Sequence, residues 1–230
     1  MKRFLFLFVI LALVAGCHRS DPRNPYNLPI ANTMEMYLSQ VAADPNTELI
    51  DLEEIIPGIN LHIAYATENN FTGIRIYTLP KAFLCRPVAQ ALAAAQDSLR
   101  KLGLGFKILD AYRPYAGTLY FYEVYPDTTF VASPRTGSIH NRGAAVDLTL
   151  ICLETGEELE MPTHFDSFSD TASHLFTDLP GHVLENRALL REIMEFFGFH
   201  IYEPEWWHYN FTNARSYPLR DVSFEELMKN

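Results

Sequence analysis

The run Ala144-Ala145-Val146-Asp147-Leu148-Thr149-Leu150-Ile151 places the tightest constraint on how this chain can fold. It alternates as a strand does, with Val146, Leu148 and Leu150 on one face and Asp147 and Thr149 on the other. A carboxylate on a strand this apolar has to be partnered, because an isolated buried charge is costly. Any acceptable fold must therefore bring a compensating group to Asp147. His140 precedes it by seven residues, which on a helix would be one face. Gly143 and the alternating, β-branched stretch after it argue instead for a loop carrying His140 into the strand.

A second feature, Glu205-Trp206-Trp207-His208, supplies further candidates. His208 falls on another alternating segment, with Asn210 on its face and Trp207, Tyr209 and Phe211 opposite. Two histidines and one carboxylate (His140, His208 and Asp147) can hold a metal and leave a position open for water. If Glu205 and His208 flank a turn into the strand, the Glu205 carboxylate reaches a water on the metal without being a ligand. Metal-assisted hydrolysis needs that arrangement: the metal brings the water pKa to about 7, and the carboxylate takes the proton and returns it to the leaving amine. Arg113, at the end of a strand read over Phe106 to Leu109, would offer fixed positive charge to the developing oxyanion. Spacing alone leaves other readings open. Eight histidines make a chance pair easy to find, Trp206 and Trp207 read equally well as core, and Arg113 as a structural arginine.

The rest of the chain reads as one domain after a leader. A helix is expected from Thr33 to Ala43, and a half-buried strand where Ile59, Leu61, Ile63 and Tyr65 alternate with polar or small residues. Pro87 opens a helix whose Val88, Leu92, Ala95, Leu99 and Leu102 share a face, and Gly103 is placed to end it. A second helix is expected over about Leu184 to Phe197, with a core stripe of Leu189, Ile193, Met194 and Phe197. Phe199 to Tyr202 and Trp207 to Phe211 read as the last strands. Strands clustered late, with helices at irregular intervals, imply an α+β domain rather than a doubly wound sheet.

The N-terminus reads as an address. Lys2 and Arg3 precede twelve apolar residues, Phe4 to Ala15, the layout of a secretory signal and too short for a membrane span. It stops at Val14-Ala15-Gly16-Cys17, which resembles a bacterial lipobox. That resemblance implies removal of residues 1–16, acylation of Cys17 and a membrane-surface partner. Residues 17–45 are then the lipidated cysteine, a proline-rich tether to about Asn32 and a short helix, and 46–230 the catalytic domain. The acidic balance, 28 Asp+Glu against 18 Lys+Arg, argues against a nucleic-acid partner. Three cysteines are too few for a disulfide scaffold, and nothing places Cys85 and Cys152 together. Oligomeric state leaves no signal.

At this point the motifs are specific enough to identify a family. Ser-x-His-x-x-Gly-x-Ala-x-Asp is filled by Ser138, His140, Gly143, Ala145 and Asp147, and Glu-x-x-His by Glu205 and His208. Together with Ala64-Tyr65-Ala66-Thr67, Asn70-Phe71-Thr72-Gly73, Asp110 to Pro114 and Phe165-Asp166, the pattern resembles the VanX-type zinc D-alanyl-D-alanine dipeptidases from about Leu49 to Phe211. The resemblance implies one zinc ion on His140, Asp147 and His208, Glu205 as base and then acid, and Arg113 stabilising the intermediate. It implies that Tyr65, Ser138 and Asp166 line a pocket for a small dipeptide. It also implies a single domain with a central antiparallel sheet flanked by helices. A free dipeptide is a zwitterion, and Asp166 is a reasonable grip for its ammonium group; read blandly, Asp166 is a loop acid or a helix N-cap. The best-known enzymes of this type are cytoplasmic, so an export signal points to peptidoglycan turnover or scavenging instead of antibiotic resistance.

Three alternatives share these residues. A D,D- or L,D-carboxypeptidase would use the same zinc on longer cell-wall stem peptides. A non-haem iron oxygenase also uses two histidines and a carboxylate, though Glu205 and export count against it. A lipoprotein that binds wall fragments without turnover would keep the ligands but not the chemistry.

Overall fold

The computed structural model describes residues Asp21 to Lys229; the leader and Cys17 lie outside them. In chain order the elements are β1 (Ile30–Ala31), α1 (Met34–Ala43), β2 (Leu49–Asp51), α2 (Leu52–Ile55), β3 (Asn60–Leu61), β4 (Phe83–Cys85), α3 (Arg86–Arg100), β5 (Leu104–Asp110), α4 (Tyr115–Val124), β6 (Ala145–Cys152), α5 (Gly181–Phe196), β7 (Phe199–Tyr202), β8 (Glu205–Phe211), β9 (Leu219–Arg220) and α6 (Phe224–Leu227). The central sheet has five strands in the order β3-β5-β6-β8-β7. Its β5–β6, β6–β8 and β8–β7 pairs are antiparallel, as expected, while the edge strand β3 runs parallel to β5. This is the α+β class the sequence implies.

Helix α3 forms because Val88, Ala89, Leu92, Ala95 and Leu99 recur at helical spacing and are all buried. Pro87 stands in its first turn, where the missing N–H costs nothing, and Gly103 at φ 73° carries the chain away. Gln96, also buried, accepts the Phe106 N–H at 2.8 Å and so ties α3 to β5. Helices α3 and α5 pack together and against the sheet. On β6 and β8 the paired Val146 and Tyr209 alternate with the paired Asp147 and His208, so those two sets face opposite sides. Tyr209 lies near Arg187 and Arg191 of α5, which leaves Asp147 and His208 on the side away from that helix. Every residue of β6 from Ala145 to Ile151 is buried. The polar side chains on it must be satisfied by the protein or by a ligand.

Several elements differ from the sequence reading, each for a local reason. The strand expected through Tyr65 pairs only at Asn60–Leu61, and the chain then tightens into a 3-10 turn at Ala64–Ala66. The Tyr65 carbonyl accepts N–H groups from Ile76 and Tyr77, so it is not available to a ladder. The buried stripe of α5 is Val183, Arg187, Leu190 and Met194; Leu189, Ile193 and Phe197 are only partly buried against it. Arg187 belongs to that stripe because its guanidinium donates to the Ser173 carbonyl at 2.9 Å, which an apolar-only count overlooks. The segment expected as tether joins the fold by Ile30, where β1 lies parallel to β9 with both its residues buried. Cys85 and Cys152 are separate free thiols. Among the described residues no helix is long and apolar enough to cross a membrane.

Gly143 links this frame to the motif residues. It caps the 3-10 turn His140–Arg142 at φ 64°, and a Cβ there would sit 2.4 Å from Leu49 Cδ2 and 3.3 Å from the Cys85 backbone nitrogen. Left-handed strain and overpacking together predict that Gly143→Ala loses about 2–4 kcal/mol of stability. Urea unfolding should show a lower midpoint with an unchanged slope.

Candidate metal centre

The site begins at the end of β5. Asp110 is fully buried and accepts from four donors: Tyr77 OH and the Ala111 N–H, both at 2.9 Å, and Arg113 Nε and Nη2 at 3.1 and 2.6 Å. Arg113 lies over the Phe121 ring at 4.5 Å and the Tyr65 ring at 5.4 Å. Burial opposes the charge on both partners, but Asp110 holds the arginine ionised where α4 packs over it. Arg113 stands at its strand end as the sequence implied, with its side chain lining the cavity described below.

His140 sits in a turn fixed on every side. Ser138 Oγ accepts the His140 N–H at 3.2 Å, and the His140 carbonyl accepts the Arg113 N–H at 3.1 Å. Buried Asn141 accepts the Ser138 N–H at 2.6 Å and donates to the Arg113 carbonyl and Thr118 Oγ1, each at 2.9 Å. The His140 ring places Nδ1 2.6 Å from the Ala111 carbonyl. A carbonyl only accepts, so the proton resides on Nδ1 and the Nε2 lone pair points inward. His208 repeats this logic from β8. Its Nε2 lies 3.0 Å from Asn210 Oδ1, which leaves the Nδ1 lone pair facing Asp147, its neighbour across the ladder.

These three donors converge. His208 Nδ1 is 2.9 Å from Asp147 Oδ1, His140 Nε2 is 3.1 Å from His208 Nδ1, and His140 Nε2 is 3.4 Å from Asp147 Oδ2. Such separations suit a tetrahedral ion about 2 Å from each donor. Two imidazole lone pairs and a carboxylate also repel one another unless a cation lies between them, so the donor set fits a divalent metal. With only protons available, burial of Asp147 is outweighed by His140 and His208, which hold its carboxyl below the usual range. The hydrogen bond that a protonated His208 Nδ1 donates to Asp147 raises His208 against its own burial.

The centre opens into a cavity of about 340 Å³ lined by Tyr65, Arg113, Ser138, Asp166 and Glu205, among others. Every site residue proposed from the sequence within the described part of the chain thus borders one space. Glu205 is buried, hydrogen-bonded to no described side chain, and holds Oε2 3.9 Å from His208 Nδ1. It opens β8 itself, opposite Tyr202 across a register shift, and does not sit in a turn before the strand. Burial pushes its carboxyl up to about 8, with Asp147 and Asp166 adding to the rise. Asp166 caps no helix: the next turn, Asp170–Ala172, has Ser169 at its cap. Asp166 takes the left-handed conformation, φ 58°, and accepts the Tyr65 hydroxyl at 3.0 Å. Burial first, then Asp147, raises it to about 8. Trp206 and Trp207 are both buried in the core.

The sequence reading assigned no role to Asp110, Asn141 or Asn210, which orient Arg113, His140 and His208. The first two were visible inside quoted motifs, but their partners lie across the fold. It also missed the cavity's outer wall. There Phe130 stacks on Phe168 at 5.1 Å, and Tyr202 OH donates to the Thr129 carbonyl at 2.7 Å.

Residues 45–226 match the profile of a family described as D-ala-D-ala dipeptidase, and residues 1–17 match that of the prokaryotic membrane lipoprotein lipid attachment site. The D-alanyl-D-alanine dipeptidase of Escherichia coli is 36% identical over 173 residues, covering 75% of this chain and 89% of that protein. The enzyme of the same name from Enterococcus faecalis is 33% identical over 196 residues, covering 75% and 94%. Among solved structures, the LdcB LD-carboxypeptidase aligns at 18% identity and a TM-score of 0.43, covering 80% of this chain and 78% of that one.

The donor geometry makes a prediction independent of activity. Metal-free protein should take up one divalent cation per chain, measured by elemental analysis after dialysis. His208→Ala should lower the affinity for Zn²⁺ by more than about a hundredfold in a competitive chelator titration, since loss of a mere supporting hydrogen bond already costs 10–100-fold.

Proposed function

The chain belongs to the D-ala-D-ala dipeptidase family, and from that premise we propose that it hydrolyses free D-Ala-D-Ala to two D-alanines at a zinc ion held by His140, Asp147 and His208. It is a peptidase by that membership. The observation that carries the metal-dependent reading is the convergence of three lone-pair donors on one point, with a buried and otherwise unbonded carboxylate, Glu205, beside them.

Bound there, zinc supplies a Lewis acid and an acidified water. Glu205 is not needed as a ligand and lies close enough to take the proton of the attacking water at its Oε2. Glu205 then delivers that proton to the departing amine, so one carboxylate serves as base and acid in turn. Arg113 directs fixed positive charge at the oxygen that becomes anionic. Asp110 and the Phe121 ring hold that guanidinium in place, so little reorganisation accompanies the step. Asp166, pre-set by the Tyr65 hydroxyl, receives the substrate's ammonium group, and Ser138 lines the pocket beside His140.

The charge balance supports a cationic and zwitterionic cargo. Asp147, Asp166 and Glu205 line the cavity, while Arg113 is already paired with Asp110. Burial and the neighbouring acids push Asp166 and Glu205 up to about 8, and a divalent ion and an ammonium group placed among them would favour their ionised forms.

One observation favours the alternative of a D,D- or L,D-carboxypeptidase acting on longer stem peptides. A second groove, lined by Met161, Thr163 and His164, shares Phe71 and Asp166 with the first cavity. A substrate extending past Asp166 would enter it.

The attachment-site match at residues 1–17 marks a membrane-anchored lipoprotein. We take residues 1–16 as a removed leader, Cys17 as the acylated residue and 46–230 as the catalytic domain, facing the periplasm. An enzyme there meets D-Ala-D-Ala released from the wall and not the cytoplasmic pool, so its role is turnover or scavenging.

Two measurements test the reading. The zinc-loaded protein should cleave D-Ala-D-Ala and fail on L-Ala-L-Ala, N-acetyl-D-Ala-D-Ala and a stem pentapeptide; cleavage of the last two would establish the carboxypeptidase instead. Glu205→Ala should keep its zinc while turnover falls by about 10²–10⁴-fold, the usual worth of positioned proton transfer. A variant that sheds the metal would show Glu205 to be a ligand.

A further inference from the structure

The reaction proposed above asks one carboxylate, Glu205, to take and return a proton, yet no described side chain hydrogen-bonds to it. Its aim is therefore set through its backbone. That backbone belongs to the tightest part of the β7–β8 hairpin: Tyr202 pairs with Glu205, only Glu203 and Pro204 lie between them, and the register shifts between Ile201 and Tyr202. The shift interrupts the ladder just where Glu205 leaves it, so the turn draws its support from outside the sheet.

That support comes from the segment before α5. The His174 N–H donates to the Glu203 carbonyl at 2.9 Å, and Ser173 Oγ donates to Glu203 Oε1 at 2.9 Å. The Ser173 carbonyl in turn accepts Arg187 of α5. The His174 side chain reaches further: its ring is buried and donates a hydrogen bond to the Glu205 backbone. Nε2 is buried without a partner among the described residues, so the donor is Nδ1. The ring meets Tyr209 edge-on at 6.1 Å, on the face of the sheet that α5 covers, and it does not line the metal-bearing cavity. Burial, then Arg187 and Arg191, push this imidazole down to about 4, so it makes its bond as the neutral ring at pH 7.

Resting on the dipeptidase reading, we propose that His174 is a positioning residue: it pins the Glu205 backbone from the far face of the sheet and so keeps that carboxylate beside the three metal donors. Proton transfer needs a reach of about 2.6–3.2 Å between heavy atoms, and a misplacement of about 1 Å costs about a hundredfold. A cation bonded to the carboxylate would also fix it, but would lower its pKa and weaken it as a base. Support through the backbone fixes the direction and leaves the carboxylate free to exchange its proton. Because His174 lies outside the cavity, its loss should act on the chemical step and not on substrate capture.

The experiment measures kcat and KM for D-Ala-D-Ala, with zinc content, in wild-type protein, His174→Leu and His174→Asn. Leucine fills the space of the ring without its nitrogens; asparagine keeps an N–H near the position of Nδ1. His174→Leu should retain one zinc per chain and a KM within about twofold, while kcat falls about 10–100-fold. His174→Asn should recover most of the loss. A wild-type kcat in His174→Leu, a loss carried by KM or by missing zinc, or a leucine variant better than the asparagine one overturns the proposal and leaves the dipeptidase reading intact. If His174→Leu does not fold, Ser173→Ala cuts the same link at its surface end: kcat should fall at constant KM, and an unchanged kcat overturns the proposal. Wild-type protein that fails to cleave D-Ala-D-Ala overturns both.

Discussion

The fold is organised around a carboxylate that could not stand alone. Asp147 lies on the central strand of the sheet, buried with its neighbours on both sides. Few arrangements make such a charge tolerable: a fixed cation, a metal, or a proton. This protein leaves Arg113 to Asp110 and gives Asp147 two imidazoles whose outer nitrogens are already engaged, His140 by the Ala111 carbonyl and His208 by Asn210. What remains is a concentration of lone pairs that a divalent ion would reconcile. A divalent ion bound among them would stabilise the β6–β8 core, so that metal binding and folding would share one free energy.

That constraint was legible because it is local. Alternation about Asp147, the glycine before the strand and the His208–Asn210 face all declare themselves within ten residues of sequence. Helix α3 was equally plain, since its apolar spacing and its proline and glycine punctuation agree. The parts that were not legible depend on distant partners. Helix α4 is rich in aromatics and contains Gly117, so local propensity gives it little support; Asn141, bound to Thr118, and the covering of Arg113 by Phe121 tie it down. Tyr65 looked like the end of a strand, but a turn aims its hydroxyl at Asp166, a hundred residues away in the chain. The α5 stripe was misplaced because a buried arginine is polar by name and largely apolar along its stem.

The candidate site follows the same division. The residues that would do chemistry stood in recognisable motifs, whereas those that orient them were anonymous. Asp110, Asn141 and Asn210 each form hydrogen bonds that fix a functional neighbour, and such bonds leave no periodic trace. Glu205 is instructive in a different way. An odd separation on a regular strand would put it and His208 on opposite faces, so a turn seemed necessary to bring them together. The register shift where β7 meets β8 supplies the needed rotation without leaving the sheet.

The turn at His140 also depends on the chain after His208. Its carbonyls and side chains are held by Arg113, by the Cys85 N–H on the Gly143 carbonyl, and by Arg220, which donates to the Arg142 carbonyl at 3.2 Å. Arg220 is fully buried and meets no carboxylate among the described residues; its other donors go to the Thr47 carbonyl at 2.6 Å, Gln40 and the Cys85 thiol. One guanidinium therefore joins α1, the segment before β2, β4 and the turn of His140. Its own strand, β9, pairs with β1, the first element after the proposed lipid tether. None of these contacts is local in sequence; they add to the hydrogen bonds that Ser138 and Asn141 make within the turn, so segments near both ends of the domain help to fix the geometry of the candidate site.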